Sequence, residues 1–352
     1  MTDTDTYFLR NSSEESSLIS VVILNWNGEQ ILENCLLSLQ GQTYRPLEII
    51  VVDNASTDNS VSLVKAKFPH VRLIVNERNL GFGGGNNIGI RVSRGRYVMI
   101  LNNDAWLEPG CIEALKRSIE KDERYGACAS KIFLEGEGDI LDAAGISVFP
   151  DGLSIGRGRL ERGDLYDREE EVFFSSGCAC LYRREMLNDI GLFDEDFFAY
   201  ADDTDMGWRA QLAGWKCIYN PKAIVYHRHS ASSSAYSPLK AFLVERNRLW
   251  VAIKHFPVSL ILYGQFFTLW RYACQAYGAL FGKGAAGRFT AQFSKYQLLV
   301  ILFKVYGAAI KQMPLILRKR NMGRNKKRIS NRDIYHLLKK YGISAKELAF
   351  KE

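Results

Sequence analysis

Three things are scarce in this chain: long uncharged runs, organised cysteines, and acidic residues in its last third. The run between Lys254 and Arg271 counts 16 residues and contains Pro257, short of the roughly 20 that a spanning helix needs. Lys304 and Lys311 interrupt the other apolar stretch, Tyr296 to Leu317. Neither is a clean span, and a hydrophobic fraction of 47% fits a globular protein rather than a polytopic membrane protein or a disordered chain. Met1 to Ser17 is polar and acidic with no apolar core, so it reads as a disordered tail and not a signal peptide. The 7 cysteines are odd in number and scattered, and the close pair Cys178 and Cys180 lacks zinc-finger spacing. They are expected to be reduced, mostly buried thiols of a cytosolic protein. Only 4 of the 39 acids follow residue 230, against 22 of the 46 Lys and Arg, which puts +18 after that point and −11 before it. Such a basic segment is expected to meet an anionic lipid surface rather than nucleic acid, because no nucleic-acid module accompanies it.

What is present is a strand, a turn and a helix, repeated. Apolar runs at Ile19–Leu24, Leu47–Val52, Val71–Val75 and Tyr97–Leu101 alternate with helical spacing over Glu29–Leu39, Val61–Phe68 and Asn87–Ser93. Strands of this kind predict an α/β fold, a mostly parallel sheet covered on both faces. In such sheets ligands bind at the carboxyl ends of the strands. Leu134 to Gly163 is Gly-rich and irregular, which suggests loops or a small antiparallel excursion, with structure resuming at Val172. No internal repeat is visible. The composition changes near Ser230–Pro238, giving a tail (1–17), a catalytic α/β domain (18–235) and a helical, basic C-terminal region (236–352).

Polar clusters fall at the predicted strand ends. Asp53 can accept the N3–H of uracil or thymine, or it can simply build a turn with Asp58. Asn79, Gly81, Gly84, Asn86 and Asn87 belong to a glycine segment that could let backbone N–H groups approach a phosphate, or be a plain flexible turn. Asn102 and Asp104, on either side of Asn103, supply hard oxygen ligands for Mg²⁺ or Mn²⁺, or a polar strand end. The dense acids Asp202, Asp203 and Asp205 open a helical segment, where mutual repulsion raises a pKa as a general base requires, although acids also favour helix starts. His227 ends an apolar run and could join Asp104 in a metal site; His229 competes with it.

In this order the segments resemble glycosyltransferase family 2, in particular its bacterial rhamnosyltransferase-like and galactofuranosyltransferase-like members. The resemblance runs from about Ser20 to Trp250 and rests on Val21-Val-Ile-Leu-Asn-Trp-Asn-Gly28, Val51-Val-Asp-Asn-Ala-Ser-Thr-Asp58, Asn79-Leu-Gly-Phe-Gly-Gly-Gly-Asn-Asn87 and Leu101-Asn-Asn-Asp104. Gly191-Leu-Phe-Asp-Glu-Asp-Phe-Phe198, Asp202-Asp-Thr-Asp-Met-Gly-Trp-Arg209, Val225-Tyr-His227 and Glu245-Arg-Asn-Arg248 continue it. It implies a GT-A nucleotide-diphosphosugar fold and an inverting, metal-dependent transfer. Asp53 would bind the base, and Asn25, Asn27, Asn79, Gly81, Gly84, Asn86, Asn87, Asn103 and Gly177 would surround the nucleotide sugar. Asp104, with His227 and Asn102, would hold Mn²⁺ or Mg²⁺. Asp203, beside Asp202, would be the base. Two departures stand out: Asn102 replaces the first acid of the DXD-type element, and Asp202 stands where many relatives have Glu. The donor is expected to be a dTDP- or UDP-sugar, with dTDP-rhamnose first, then UDP-galactofuranose or UDP-GlcNAc. The acceptor would be a glycan or lipid-linked hydroxyl in surface polysaccharide synthesis. The absence of Gln-x-x-Arg-Trp argues against a processive synthase. From another class, a membrane-tethered sugar-nucleotide-binding scaffold stays open, as does a homo-oligomer.

Overall fold

The computed structural model describes residues 17–228 and 237–351; His229, most of the 230–238 boundary and the tail up to residue 16 lie outside them. The amino-terminal half is β1 (Ile19–Asn25), α1 (Leu32–Gln40), β2 (Leu47–Asp53), α2 (Ser60–Lys67), β3 (Arg72–Val75), α3 (Gly81–Val92) and β4 (Tyr97–Asn102). Next come β5 (Ala105–Leu107), α4 (Cys111–Ile119), β6 (Tyr125–Leu134), β7 (Leu141–Ala143), β8 (Ile146–Val148), β9 (Ser154–Gly156) and β10 (Glu170–Val172). The α/β half closes with β11 (Ala179–Arg183), α5 (Arg184–Ile190), α6 (Asp202–Leu212) and β12 (Lys216–His227). Six helices follow: α7 (Pro238–His255), α8 (Val258–Phe281), α9 (Gly284–Gln292), α10 (Lys295–Arg324), α11 (Asn331–Lys340) and α12 (Ala345–Phe350).

The sheet runs β10-β12-β6-β11-β4-β1-β2-β3. β3, β2, β1 and β4 are parallel, as are β6 and β12, while β11 runs antiparallel between β4 and β6. The 134–163 stretch is indeed a small antiparallel excursion, with β7 on β6 and β8 on β9. Register brings the polar strand ends level: Asn25 faces Asp53, and Leu24 faces Asn102. Alternate residues fill the two faces. Val21, Ile23, Val51 and Met99 pack on Leu36, Val64 and Leu115 of α1, α2 and α4. Val22, Val52 and Ile100 pack on Ile90, Met206 and Trp208 of α3 and α6.

The glycine segment differs from the expected loop. Gly81 to Gly85 already form the first turns of α3. Glycine is a poor helix former, but this helix lies so close to the sheet that a Cβ at Gly85 would sit 2.2 Å from Leu24. Close packing outweighs propensity here. The helix at Glu29–Leu39 also starts later, at Leu32, after a turn over 28–31.

The C-terminal helices share the main core. Trp250, Phe256, Leu260, Ile316 and Ile334 are buried with the sheet residues, and burial of each such side chain contributes about 1.5–3 kcal/mol. Some of the basic excess is spent inside the molecule, on ion pairs from Lys254, Lys319, Arg328 and Lys340 to Asp194, Asp196, Asp189 and Glu171. All 7 cysteines are buried and free. Among the described residues one helical stretch, Tyr296–Arg324, is long and apolar enough to cross a membrane, despite Lys304 and Lys311.

Candidate active site

The site is assembled where β1, β2, β4 and β12 end. Asp53 is buried; its Oδ1 accepts hydrogen bonds from Asn25 Nδ2 at 2.9 Å and Ser56 Oγ at 2.6 Å, and its Oδ2 from Ser56 N at 2.9 Å. Asn25 in turn accepts from Asn103 Nδ2 at 2.8 Å. Asn27, exposed at φ 50°, bridges to the same turn, its Oδ1 accepting from Thr57 N at 2.8 Å. One contiguous polar layer therefore links the ends of β1, β2 and β4. Asn79 Oδ1 accepts from Gly81 N at 2.8 Å and from Asn54 Nδ2 at 3.0 Å. Gly81 has φ +73°, and a Cβ there would meet the Phe198 carbonyl at 2.2 Å, so only glycine fits.

Gly84, Asn86 and Asn87 lie inside α3 and are buried. Asn87 braces the 193–195 segment, donating to the Phe193 carbonyl at 2.9 Å and accepting from its N–H at 3.0 Å. Asn86 donates to the Phe82 carbonyl at 3.0 Å. Their observed contacts are within the chain.

Asp104 and His227 meet across the end of β4 and β12, with His227 Nε2 3.2 Å from Asp104 Oδ1. Asn102, half-buried, stands two residues before Asp104. The other ring nitrogen, Nδ1, lies 2.7 Å from Asp142 Oδ2, and Asp142 is itself ion-paired to Arg159. Burial disfavours a charged ring, yet Cys178 and the Asp104 and Asp142 carboxylates outweigh it and raise the His227 pKa well above the imidazole range. Because burial pushes the Cys178 thiol up and keeps it protonated, the carboxylates carry this effect. Among the described residues no three His, Cys, Asp or Glu side chains form a metal-binding group. The donor set nonetheless suits a divalent cation. One carboxylate and one imidazole converge, the imidazole is oriented from behind by a second carboxylate, and Mg²⁺-type sites commonly use one or two carboxylates plus substrate phosphates.

Asp202 and Asp203 are the first two residues of α6. Asp203 is half-buried; its Oδ2 accepts from Gly177 N at 3.0 Å and its Oδ1 from Thr204 N at 2.7 Å. Burial raises its pKa against those hydrogen bonds. Asp202 is buried, and burial followed by the Asp203 charge raises its pKa well above the usual range. Asp205 goes the other way. Burial opposes its charge, but Lys254, Arg209 and His255 hold it well below the usual range.

These contacts make one path. Asp53, Asn25 and Asn103 are hydrogen-bonded in turn; Asp104 follows and touches His227; Cys178, beside His227, adjoins Gly177, which is bonded to Asp203. Sequence reasoning missed Asp142, Asn54 and Ser56. Asp142 lies on a three-residue strand in the irregular stretch, and its only signal was an isolated acid among apolar residues. A cavity of about 500 Å³ lined by Leu18, Glu48, His70 and Arg94 lies at the amino ends of β1, β2 and β3, the opposite end of the strands from all of these groups.

The family description "Glycosyl transferase family 2" matches residues 20–191. The chain is 30% identical over 269 residues to the N-acetylglucosaminyl-diphospho-decaprenol L-rhamnosyltransferase of Mycobacterium tuberculosis, over 67% of this chain and 87% of that protein. In structure it is similar to GalNAc-T7 with UDP, GalNAc and Mn²⁺, with a TM-score of 0.55 at 19% identity over 68% of this chain and 48% of that one. It is also similar to S. aureus TarS 1-349, with a TM-score of 0.52 at 18% identity over 92% and 90% of the two chains.

Proposed function

The chain belongs to glycosyl transferase family 2, with a GT-A architecture, and from that premise we propose an inverting, metal-dependent transferase acting at the cytoplasmic face of a membrane. The donor is a dTDP- or UDP-sugar. dTDP-rhamnose comes first, because the mycobacterial relative is named a rhamnosyltransferase. The acceptor is a hydroxyl of a lipid-linked glycan, in line with the decaprenyl diphosphate in that relative's name, and the product feeds a surface polysaccharide.

One observation carries this reading: the unbroken contact path from Asp53 through Asp104 and His227 to Asp203. Asp53 accepts the pyrimidine N3–H through the remaining acceptor position of Oδ2, beside Asn25, Asn27 and Asn103. Asn79, Gly81 and the start of α3, with Gly84, Asn86 and Asn87, back the diphosphate and sugar, and Gly177 lines the sugar side. A divalent cation, Mn²⁺ or Mg²⁺, held by Asp104 and His227 near Asn102, would neutralise charge on the diphosphate. Asp203 takes the proton of the acceptor hydroxyl as its oxygen bonds to the anomeric carbon. The bond from that carbon to the diphosphate oxygen breaks, and its electron pair leaves with the nucleoside diphosphate. Attack from the opposite face inverts the configuration. Burial and the Asp203 charge raise the Asp202 pKa, which disfavours a second negative charge beside the developing diphosphate.

Support for the membrane comes from α8 and α10. Phe266 on α8 is 77% exposed and Phe303 on α10 is 79% exposed, with Leu262, Leu269, Leu299 and Ile310 beside them on their helices. The opposite stripe of α10, Ile301, Val305, Ala309 and Ile316, is buried in protein. A helix so packed lies flat along the interface, with Lys304, Lys311 and Arg318 exposed towards anionic headgroups.

The test is a thermal-shift screen of UDP- and dTDP-sugars with and without Mn²⁺ or Mg²⁺. A ligand at 100 times its Kd stabilises the native state by about 2.7 kcal/mol. Stabilisation by one pyrimidine donor only with the cation present is expected; no response to any of them overturns the reading.

A further inference from the structure

The Glu245-Arg-Asn-Arg248 motif plays no part in the site described so far, and its side chains turn two ways. Glu245 and Arg248 enter a buried ionic network, with Glu245 accepting from Arg248 Nε at 2.6 Å and from Arg271 at 2.6 Å, while Arg271 Nε donates to Asp151 at 2.8 Å. Arg246 and Asn247 face the segment that leads into Asp202 and Asp203.

That segment has an unusual backbone. Phe198, Tyr200 and Ala201 have φ of +67°, +68° and +60°, a region L side chains rarely adopt. The conformation turns the carbonyls of Phe197, Ala199 and Tyr200 towards α7 and that of Phe198 away from it. The fully buried Asn247 donates through Nδ2 to the carbonyls of Phe197 at 3.1 Å, Ala199 at 2.8 Å and Tyr200 at 2.7 Å. Its Oδ1 accepts from Arg246 Nε at 2.8 Å, which fixes which way the amide faces. Arg246 adds a bond to the Phe197 carbonyl at 2.8 Å. On its far side the Phe198 carbonyl accepts from Phe82 N at 2.6 Å, in the glycine segment, and the Ala201 carbonyl accepts from Asp205 N at 2.9 Å, starting α6. The same short loop thus touches the donor side and launches the two acids.

We propose that Asn247 is a positioning residue: its amide holds the 197–201 loop, with Phe198, Tyr200 and Ala201 at positive φ, and so fixes how Asp203 faces the acceptor hydroxyl. This rests on the reading of Asp203 as proton acceptor. A role confined to stability would lower the fraction folded without separating turnover from donor binding.

The experiment uses the full chain as wild type, Asn247→Ala, Arg246→Met and Asn247→Ala with Ala201→Gly. It reads amide hydrogen exchange over 197–203, together with kcat and donor KM. In Asn247→Ala, exchange over 197–203 is expected to rise about tenfold while β1 to β4 keep their protection. Turnover is expected to fall about 100-fold with donor KM within about threefold, since small misplacement of a reacting group costs that much. Ala201→Gly restores about fivefold of it, because glycine takes positive φ without penalty. Arg246→Met, half-exposed and still carrying Asn247, falls between and decides the question should Asn247→Ala not fold. Unchanged exchange over 197–203, unchanged turnover, or a loss that Ala201→Gly leaves untouched overturns the proposal. Exchange is read without substrate, so a wild type inactive with every sugar donor overturns the glycosyltransferase reading alone, and the loop protection still decides the clamp.

Discussion

Asp142 sets how His227 presents its second nitrogen. With Nδ1 held at 2.7 Å by that carboxylate, the ring cannot rotate Nε2 away from Asp104. Removing the charge but keeping the shape, Asp142→Asn, is expected to weaken Mn²⁺ binding about 10- to 100-fold, read by titration of free Mn²⁺ with the protein; unchanged affinity would contradict the orienting role. Asp53, Asp104, Asp203 and His227 were legible in the sequence because each follows an apolar strand or opens a helix, where a polar residue stands out. Asp142 and Asn247 were not. One sits on a strand three residues long, and the other acts on backbone carbonyls whose unusual φ no residue type announces.

Among the elements, α6 is where the proposed base and a buried ionic cluster meet. Its first turn carries Asp202 and Asp203, while Asp205, fully buried, takes Lys254 and His255 of α7 and Arg209 of its own helix. Asp205→Asn leaves Lys254 and Arg209 facing a neutral amide and is expected to cost about 3 kcal/mol in urea unfolding at pH 7. The folded-state pKa of Asp205 is depressed, so its contribution is complete above the ordinary Asp range and fades as pH falls through the lower folded value. Wild type should therefore lose stability on acidification more steeply than the variant, and the two curves should converge; parallel curves would contradict this. The parallel strands were readable from their β-branched runs. The reversal of β11 was not, because a strand buried on both faces has the same pattern in either direction. The glycine segment misled for a physical reason: its helix is dictated by contact with Leu24, a residue 61 positions away.

At the scale of the molecule, the charge asymmetry has two destinations. Lys254, Lys319, Arg328 and Lys340 bind acids of the α/β half, while Lys304, Lys311 and Arg318 stay exposed on α10. The sequence alone could not separate these uses, since both look like a basic tail. Sedimentation with anionic vesicles is expected to weaken about tenfold for each of Phe266→Glu and Phe303→Glu, from lost apolar burial, and to weaken further with salt; variants that sediment like wild type would remove the membrane reading. The active site asks for a sharper comparison, because donor binding and proton transfer are assigned to different ends of one contact path. Asp203→Asn and wild type, prepared alike, are compared for dTDP or UDP affinity in Mn²⁺ and for the rate of sugar transfer. Affinity is expected to stay within about threefold and transfer to slow by about a thousandfold; transfer near the wild-type rate, or affinity lost in step with it, would overturn the assignment of Asp203 as the base.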